Sequence, residues 1–241
     1  MRVARRPPPT LSRRTRIQLV SLAVALALAA LALLGAALFR PQPAAATDPA
    51  DIKPRIVKKL IPFGNGRKEQ TEDYCKRHYD QHTYELTAPK VILLHHTAGS
   101  IWQSAWNTFA ANTAYNDEKP GVSAHFIITK RGRIIQCVPI HLRARHCIGL
   151  NWTSIGIEFV QEPREGKDGH WMDRQILNRP KQMRAGLRLV RYLRLRFHIK
   201  KTNVVGHATA NGSPYFKDLT GIKNAAGDWY SAEVKRFRAR I

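Results

Sequence analysis

The sequence contains only three cysteines among 241 residues, and no two of them are spaced as Cys-x-x-Cys. This absence excludes the zinc-finger classes, which need paired cysteine ligands at short spacing. Cys75 is expected to be a buried structural thiol. In an oxidising compartment two of the three could form a disulfide, and Cys137 and Cys147 are close enough in sequence to flank one hairpin or loop.

Acidic residues are scarce, because 17 Asp and Glu stand against 40 Lys and Arg, for a formal net charge of +23. Such an excess predicts anionic partners, namely phospholipid surfaces or the anionic polymers of a cell envelope. Nucleic acid is the other usual partner of so basic a chain. The basic patches lack interleaved aromatic residues, and the export inferred below also argues against nucleic acid.

No charged residue occurs from 17 to 39, a run rich in Ala and Leu that is long enough to cross a bilayer as a helix. Six arginines precede this run, which predicts that residues 1–16 stay in the cytoplasm and that the remainder lies outside. Two interpretations remain open: an uncleaved transmembrane signal anchor, or a signal peptide cleaved in the region of Ala44–Ala46. The chain is therefore expected in the periplasm or cell envelope, anchored in the inner membrane or else secreted.

Four segments are predicted on this basis, and no internal repeat divides the last of them. They are a basic leader (1–16), a transmembrane or signal helix (17–39), a Pro/Ala-rich linker (40–51) and one domain (52–241). Within the domain the hydrophobic pattern predicts an α/β fold, with a mixed central β-sheet flanked by helices. The expected strands cover 91–94, 124–129, 134–138, 155–160 and 204–205, and the expected helices cover 72–78, 100–116, 183–197 and 229–240.

Histidines and a carboxylate stand at the ends of the predicted strands. The apolar run from Val91 leads into His95 and His96, another run leads into His207, and Glu158 lies near the end of a third. Strand ends meet at one edge of an α/β sheet, so these side chains are expected to lie together.

Two imidazoles and a carboxylate suit a catalytic zinc ion, which takes three protein ligands and keeps one open position. His95 and His207 are the predicted histidine ligands, and Asp228 competes with Asp218 for the third position. Glu158 suits a general base that removes a proton from water. His125 and His198 are instead expected to be ordinary core histidines.

Five motifs occur in a fixed order over residues 70–240: HHTAG, VSAHFIITKRGRI, RARHCIGLN, SIGIE and VVGH. In this respect the chain resembles the zinc-dependent N-acetylmuramoyl-L-alanine amidases of the phage-lysozyme and peptidoglycan-recognition-protein superfamily. The resemblance implies the α/β fold of that superfamily, one zinc ion per chain, and peptidoglycan and its muropeptides as partners. It further implies cleavage of the amide bond between N-acetylmuramic acid and L-alanine.

The resemblance also implies roles for individual residues. The first ligand falls on His95 rather than His96, the late ligand on His207, and the catalytic glutamate on Glu158. Gly227-Asp228-Trp229 is similar to the ending of exported members, which favours Asp228 over Asp218 as third ligand.

The loop motif RARHCIGLN resembles the substrate-cleft loop of the family. This similarity implies that His146 and Asn151 contact the muramyl or peptide part of the substrate.

One position departs from the family pattern. Relatives carry Lys or His two residues before the third ligand, as a donor to the oxyanion, whereas this chain has Ala226 there. Loss of one such donor costs about two to three orders of magnitude in rate. Lys217, His96 or Arg145 could substitute for it, and the alternative function is a catalytically weakened module of the same fold that binds peptidoglycan.

Overall fold

The computed structural model describes residues 48–241. The predicted leader, the apolar run 17–39 and most of the predicted linker lie outside the described residues. Within 48–241, no helix combines the length and the apolar character needed to cross a bilayer.

A six-stranded sheet forms the centre of the domain, with the strand order β1-β4-β3-β5-β2-β6. Strands β3 and β4 are antiparallel, and the other neighbouring pairs are parallel. This arrangement confirms the predicted α/β fold with a mixed sheet. The strands are β1 (Ile56–Lys58), β2 (Val91–His96), β3 (Phe126–Ile128), β4 (Ile134–Gln136), β5 (Ser154–Phe159) and β6 (Val204–Gly206).

Five α-helices flank the sheet, and they differ in part from those expected. The predicted helix over 100–116 is shorter, because it begins without a cap from Ser100 and ends where Asn112 adopts a left-handed φ of 52°. Strand β1 and the third helix are not predicted by the hydrophobic pattern. The helices are α1 (Asn65–Tyr79), α2 (Trp102–Ala111), α3 (Gly169–Leu177), α4 (Pro180–Phe197) and α5 (Ser231–Arg238).

The two faces of the sheet are covered differently, because side chains alternate along each strand. Ile92 and Leu94 of β2 pack into a large apolar core with residues of α3, α4 and α5, and we call this side the helix face. Leu93 and His95 point to the other side, called the cleft face, which is covered by α2 and by the loops near residues 142–151 and 207–216.

Burial tests the expectation that His125 and His198 are core histidines. His125 is a core histidine as predicted: it is fully buried, its Nε2 lies 2.9 Å from the Leu142 carbonyl and its Nδ1 accepts from the Gly156 N–H. His198 is not, because it is exposed and ends α4 in a left-handed conformation.

The three cysteines are buried in separate clusters, all of them as free thiols. Cys137 and Cys147, although close in sequence, do not pair in this structure, and Cys75 is buried as expected.

Candidate metal centre

Three potential ligands meet at the edge of the sheet on the cleft face. His95 lies at the end of β2, His207 directly follows β6, and Asp228 precedes α5. One ligand atom of each lies within 4.8 Å of the others. The two Nδ1 atoms of His95 and His207 are 3.1 Å apart, and Asp228 places its Oδ1 3.0 Å from the Nδ1 of His207 and its Oδ2 3.4 Å from that of His95.

The backbone around Asp228 is held tightly against the strand ends. A Cβ on Gly206 would lie 1.7 Å from the Trp229 carbonyl oxygen, so only glycine lets the segment approach β6 this closely. Trp229 is fully buried, and its indole Nε1–H donates to the His95 carbonyl over 3.1 Å. Trp229 also adopts a left-handed φ of 53°, a strained conformation typical of functional sites.

The hydrogen bonds of His207 show which of its nitrogens is free to act as a ligand. Its Nε2 lies 3.2 Å from Oδ1 of Asn224, whose amide nitrogen donates to the Ile148 carbonyl over 2.9 Å. Because Oδ1 can only accept, the neutral imidazole carries its proton on Nε2, and the lone pair of Nδ1 points at Asp228. Lone pairs that converge with a carboxylate repel one another unless a cation lies between them, so this donor set fits a metal ion.

His146 orients the His95 ring through the nitrogen that does not face Asp228. The Nε2 of His95 lies 3.0 Å from the Nδ1 of His146, whose Nε2 lies 3.3 Å from the Ser154 hydroxyl. Gly156 provides the space for this ring, since a Cβ there would lie 2.7 Å from the His146 imidazole. Burial, then the neighbouring His207, lowers the pKa of His95 to about 4, and burial lowers the pKa of His146 well below its usual range. Both rings are therefore neutral near pH 7, as metal ligation and its support require.

The two carboxyl groups of the site are held in opposite protonation states. Burial, with the negative charge of Asp228, raises the pKa of Glu158 to about 8, and Glu158 Oε2 is buried without a hydrogen-bond partner. Burial also opposes ionisation of Asp228, but the adjacent imidazoles of His207 and His95 outweigh it and lower the pKa of this group. The site thus combines a carboxylate beside the histidines with a second carboxyl that holds a proton near neutral pH.

Asp218 lies in a different cluster, away from the two histidines of the site. Its Oδ1 is 2.6 Å from the Nδ1 of the buried His78, and its Oδ2 accepts hydrogen bonds from Thr220 and from the Ile222 N–H. The structure thus brings Asp228, and not Asp218, beside His95 and His207.

The two predicted substrate contacts lie in one loop at the wall of the cleft. Asn151 is 2% exposed, and its Oδ1 accepts from the backbone N–H groups of His146 and Cys147 while its amide donates to the Tyr74 hydroxyl. The Asn151 side chain therefore fixes the shape of this loop. Substrate contact by His146 and Asn151 stays a prediction.

A cleft of about 580 Å³ opens beside the metal centre and is lined by Glu158, Asp228 and Ala226 among others. Lys223, which the sequence did not single out, also lines it and is exposed. Lys223 lies in an irregular loop with no pattern of its own, and its position next to Asn224, which binds His207, becomes visible only in the structure.

Two of the three proposed substitutes for a donor at position 226 are engaged elsewhere. Lys217 donates to the Tyr79 carbonyl, and the guanidinium of Arg145 binds the carbonyl oxygens of Glu118 and Pro120. The third, His96, lines the cleft, but its Nε2 is directed towards Asp173 at 4.0 Å. Lys223 is thus a further candidate for a cation at this position.

A sequence model of the family described as N-acetylmuramoyl-L-alanine amidase matches residues 85–218. The chain belongs to the N-acetylmuramoyl-L-alanine amidase family. This confirms the resemblance carried by the motifs and places the chain among the amidases of peptidoglycan. The match includes His95, His146, Glu158 and His207 and ends before Asp228.

Solved structures of such proteins are similar to this chain at low identity. A mutant endolysin from Bacillus subtilis is 22% identical, with 67% of this chain and 88% of that chain covered and a TM-score of 0.44. The N-acetylmuramoyl-L-alanine amidase LysC from Clostridium intestinale is 19% identical, with 76% and 96% covered and a TM-score of 0.47. No curated protein sequence matches the chain.

Proposed function

We propose that this chain is a zinc-dependent amidase that hydrolyses the bond between N-acetylmuramic acid and L-alanine in peptidoglycan. The observation that carries the proposal is the convergence of His95 Nδ1, His207 Nδ1 and the Asp228 carboxylate in a cleft that also holds Glu158. Membership of the amidase family supports the substrate class.

The chemistry of the donor set suits one zinc ion per chain. His95, His207 and Asp228 would hold it, since two neutral imidazoles and a carboxylate are a common set of zinc ligands. When bound, zinc supplies Lewis-acid chemistry, which lowers the pKa of water and polarises a carbonyl group. His146 and Asn224 keep the two imidazoles in the orientation that this binding needs.

Glu158 moves the proton in the proposed reaction. Its carboxylate takes a proton from the attacking water at Oε2 while the water oxygen forms a bond to the lactyl carbonyl carbon. The proton then passes to the nitrogen of L-alanine as the carbon–nitrogen bond breaks, which releases a carboxylic acid and a free amine. A carboxyl pKa of about 8 leaves only part of Glu158 ionised near neutral pH, and the positive charge of a bound zinc ion would favour the carboxylate that accepts the proton.

The second candidate function is a peptidoglycan-binding module with little turnover. Ala226 favours it, because alanine provides no hydrogen-bond donor at a position where relatives carry a cation. Such a module would retain the cleft and the metal ligands but would stabilise the oxyanion poorly.

Digestion of purified peptidoglycan by the full-length protein in detergent separates these functions. We expect new N-terminal L-alanine and glycan chains ending in a free lactyl carboxyl, identified by mass. A chelator should abolish the products and added zinc should restore them. Binding to peptidoglycan without release of L-alanine would favour the module, and release of other termini would contradict the proposed bond.

Variants separate metal binding from proton transfer. His207→Ala should lose stoichiometric zinc and all detectable product, whereas the exposed His82→Ala should lose neither. Glu158→Gln should keep zinc but lose at least about 100-fold in turnover, the usual contribution of a positioned base. Glu165→Gln, at an exposed glutamate, is the matched control. Full turnover in Glu158→Gln would place the base elsewhere.

We further propose that the domain works outside the cytoplasm, tethered through the run 17–39. Six arginines before a charge-free run support this orientation. A reporter that is active only in the periplasm, fused after Ile241, should be active, and the protein should fractionate with membranes. A mature N-terminus near Thr47 would replace the tether by a cleaved signal, and an inactive reporter would contradict export.

A further inference from the structure

The outer surface of α4 is a row of cations without acidic neighbours on the same helix. The helix contains six Lys and Arg and no Asp or Glu. Five of these cations are exposed, and four of the five follow one another at intervals of three or four residues, so they share one face of the helix over about 15 Å. They are Lys181, Arg184, Arg188 and Arg191.

The basic surface continues onto the neighbouring helix. No acidic residue occurs anywhere from 174 to 217, and none occurs from 234 to the C-terminus. Arg191 donates to the carbonyl of Arg240, which joins α4 to the chain that follows α5. The exposed side of α5 adds Lys235 and Arg236. The exposed cations of α4 and α5 are called the basic face below.

Most of the basic face is not neutralised inside the domain. Within residues 48–241, Lys181, Arg184 and Arg188 form no ion pair and no side-chain hydrogen bond. Holding so many unpaired cations together destabilises a fold by self-repulsion, and an anionic surface would relieve that repulsion.

The polypeptide enters the domain on the same side of the sheet. Ile52 and Ile56 pack against the apolar core of the helix face, the same core that Leu187 and Phe197 of α4 contact. The predicted linker 40–51 can span at most about 40 Å when fully extended. A chain tethered through the run 17–39 would therefore keep this side of the domain within reach of the bilayer.

We propose that the basic face docks on anionic phospholipid headgroups, while the cleft, on the opposite face of the sheet, points away from the bilayer towards the peptidoglycan. Arginine suits this partner, because its planar guanidinium binds phosphate oxygens in pairs. Each cation close to an anionic leaflet strengthens binding by about fivefold. None of these cations lines the cleft beside the metal centre, and a row spread along one helix suits a headgroup surface better than a single polymer strand. The location rests on the export proposed above, but the docking requires no amidase activity.

The test measures protection of one engineered thiol on the basic face. Full-length Arg188→Cys is combined with vesicles of phosphatidylcholine, with or without phosphatidylglycerol, and labelled with a polar maleimide. The native cysteines are buried, so the parent protein gives the background rate. We expect phosphatidylglycerol to slow labelling about tenfold at low salt, and high salt to remove the protection. The exposed Lys76→Cys, on α1, should label at one rate in both vesicles.

Charge variants of the same reporter complete the test. Adding Lys181→Gln and Arg184→Gln should abolish protection, whereas adding Lys59→Gln and Lys90→Gln, which removes two exposed lysines elsewhere, should leave it. Equal protection at positions 188 and 76, or loss of protection in both double variants, would overturn the docking face. Stronger protection by soluble polyphosphate or DNA than by phosphatidylglycerol would overturn the lipid as partner. The mixture contains no peptidoglycan, so these outcomes are independent of the amidase proposal.

Discussion

The two faces of the central sheet have opposite characters. On the helix face, apolar side chains of β2 and β5 fill one continuous core under α3, α4 and α5. On the cleft face, the same two strands present His95 and Glu158, and Glu158 Oε2 is buried without a hydrogen-bond partner. An unsatisfied buried polar atom lowers the free energy of unfolding by about 1–3 kcal/mol. The cleft face is therefore destabilising at this position, and the apolar core of the helix face offsets the loss.

This contrast implies that substitutions should have separate effects on the two faces. Truncation on the helix face should lower stability and leave metal affinity intact in the folded protein. Truncation on the cleft face should lower metal affinity or turnover and leave stability nearly unchanged. The predictions below test that separation, from the largest expected effect to the smallest.

Leu189→Ala should have the largest effect on stability. Leu189 is fully buried in the core of the helix face, so its truncation leaves a cavity and should lower the free energy of unfolding by about 2–5 kcal/mol. Leu195→Ala, on the same helix but 40% exposed, is the matched control and should cost little. Denaturant unfolding and zinc titration of the folded protein check the prediction. A large loss of zinc affinity in Leu189→Ala would mean that the two faces are coupled.

Asp173 is the exception on the helix face and gives a pH-dependent prediction. It is fully buried, its Oδ2 accepts from the Tyr230 N–H over 3.0 Å, and burial is the main cause that raises its pKa from 3.8 to about 7. A carboxyl group whose pKa is higher in the folded than in the unfolded state contributes its full stability below about pH 4. This contribution is lost as the pH rises from about 4 through 7.

Asp173→Asn keeps the hydrogen-bond acceptor but cannot ionise. Its stability relative to the parent protein should therefore rise by about 3 kcal/mol between pH 5 and pH 9, measured by denaturant unfolding of the zinc-free protein at each pH. Asp168→Asn, at the exposed cap of α3, should show no such trend. A stability difference that does not change with pH would mean that Asp173 has an ordinary pKa.

The sequence predicts those parts of the molecule in which a single strand has a recognisable hydrophobic pattern. The run Val91–Leu94 is apolar on both faces, as a central parallel strand must be, and it leads directly into His95. The same reasoning locates Glu158 and His207, because strand ends share one edge of the sheet. Strand β1 is missed because its three residues lie in a polar, mixed segment without the apolar run that marks β3 and β4.

No sequence pattern indicates which residues far apart in the chain come into contact. The pair His95–His146 spans 51 positions, and Asn224 reaches Ile148 across 76 positions. Irregular backbone sets both contacts, so neither spacing nor hydrophobic pattern reveals them. The family resemblance drew attention to His146 as a substrate contact, whereas its distance to His95 supports a positioning role.

His146→Ala tests which of these roles applies. Loss of a residue that orients a metal ligand should weaken zinc binding by about 10–100-fold. His146→Asn, whose carbonyl oxygen can accept from the Nε2–H of His95, should recover most of that affinity, and the exposed His141→Ala is the control. A raised KM with unchanged zinc affinity would instead identify His146 as a substrate contact.

Lys223 and Ala226 provide the smallest expected effect and the finest test of the cleft face. If Lys223 supplies the positive charge that Ala226 lacks, it acts on charge that develops only in the transition state, so Lys223→Ala should lower kcat about tenfold and leave KM nearly unchanged. Ala226→Lys places a cation two residues before Asp228 and should restore most of the lost rate in the Lys223→Ala background. Lys90→Ala, at an exposed lysine away from the cleft, should change neither constant. Because neither substitution touches the apolar core, unfolding should be unaffected. If kcat survives in Lys223→Ala and Ala226→Lys adds nothing, the oxyanion is stabilised without a lysine from this loop.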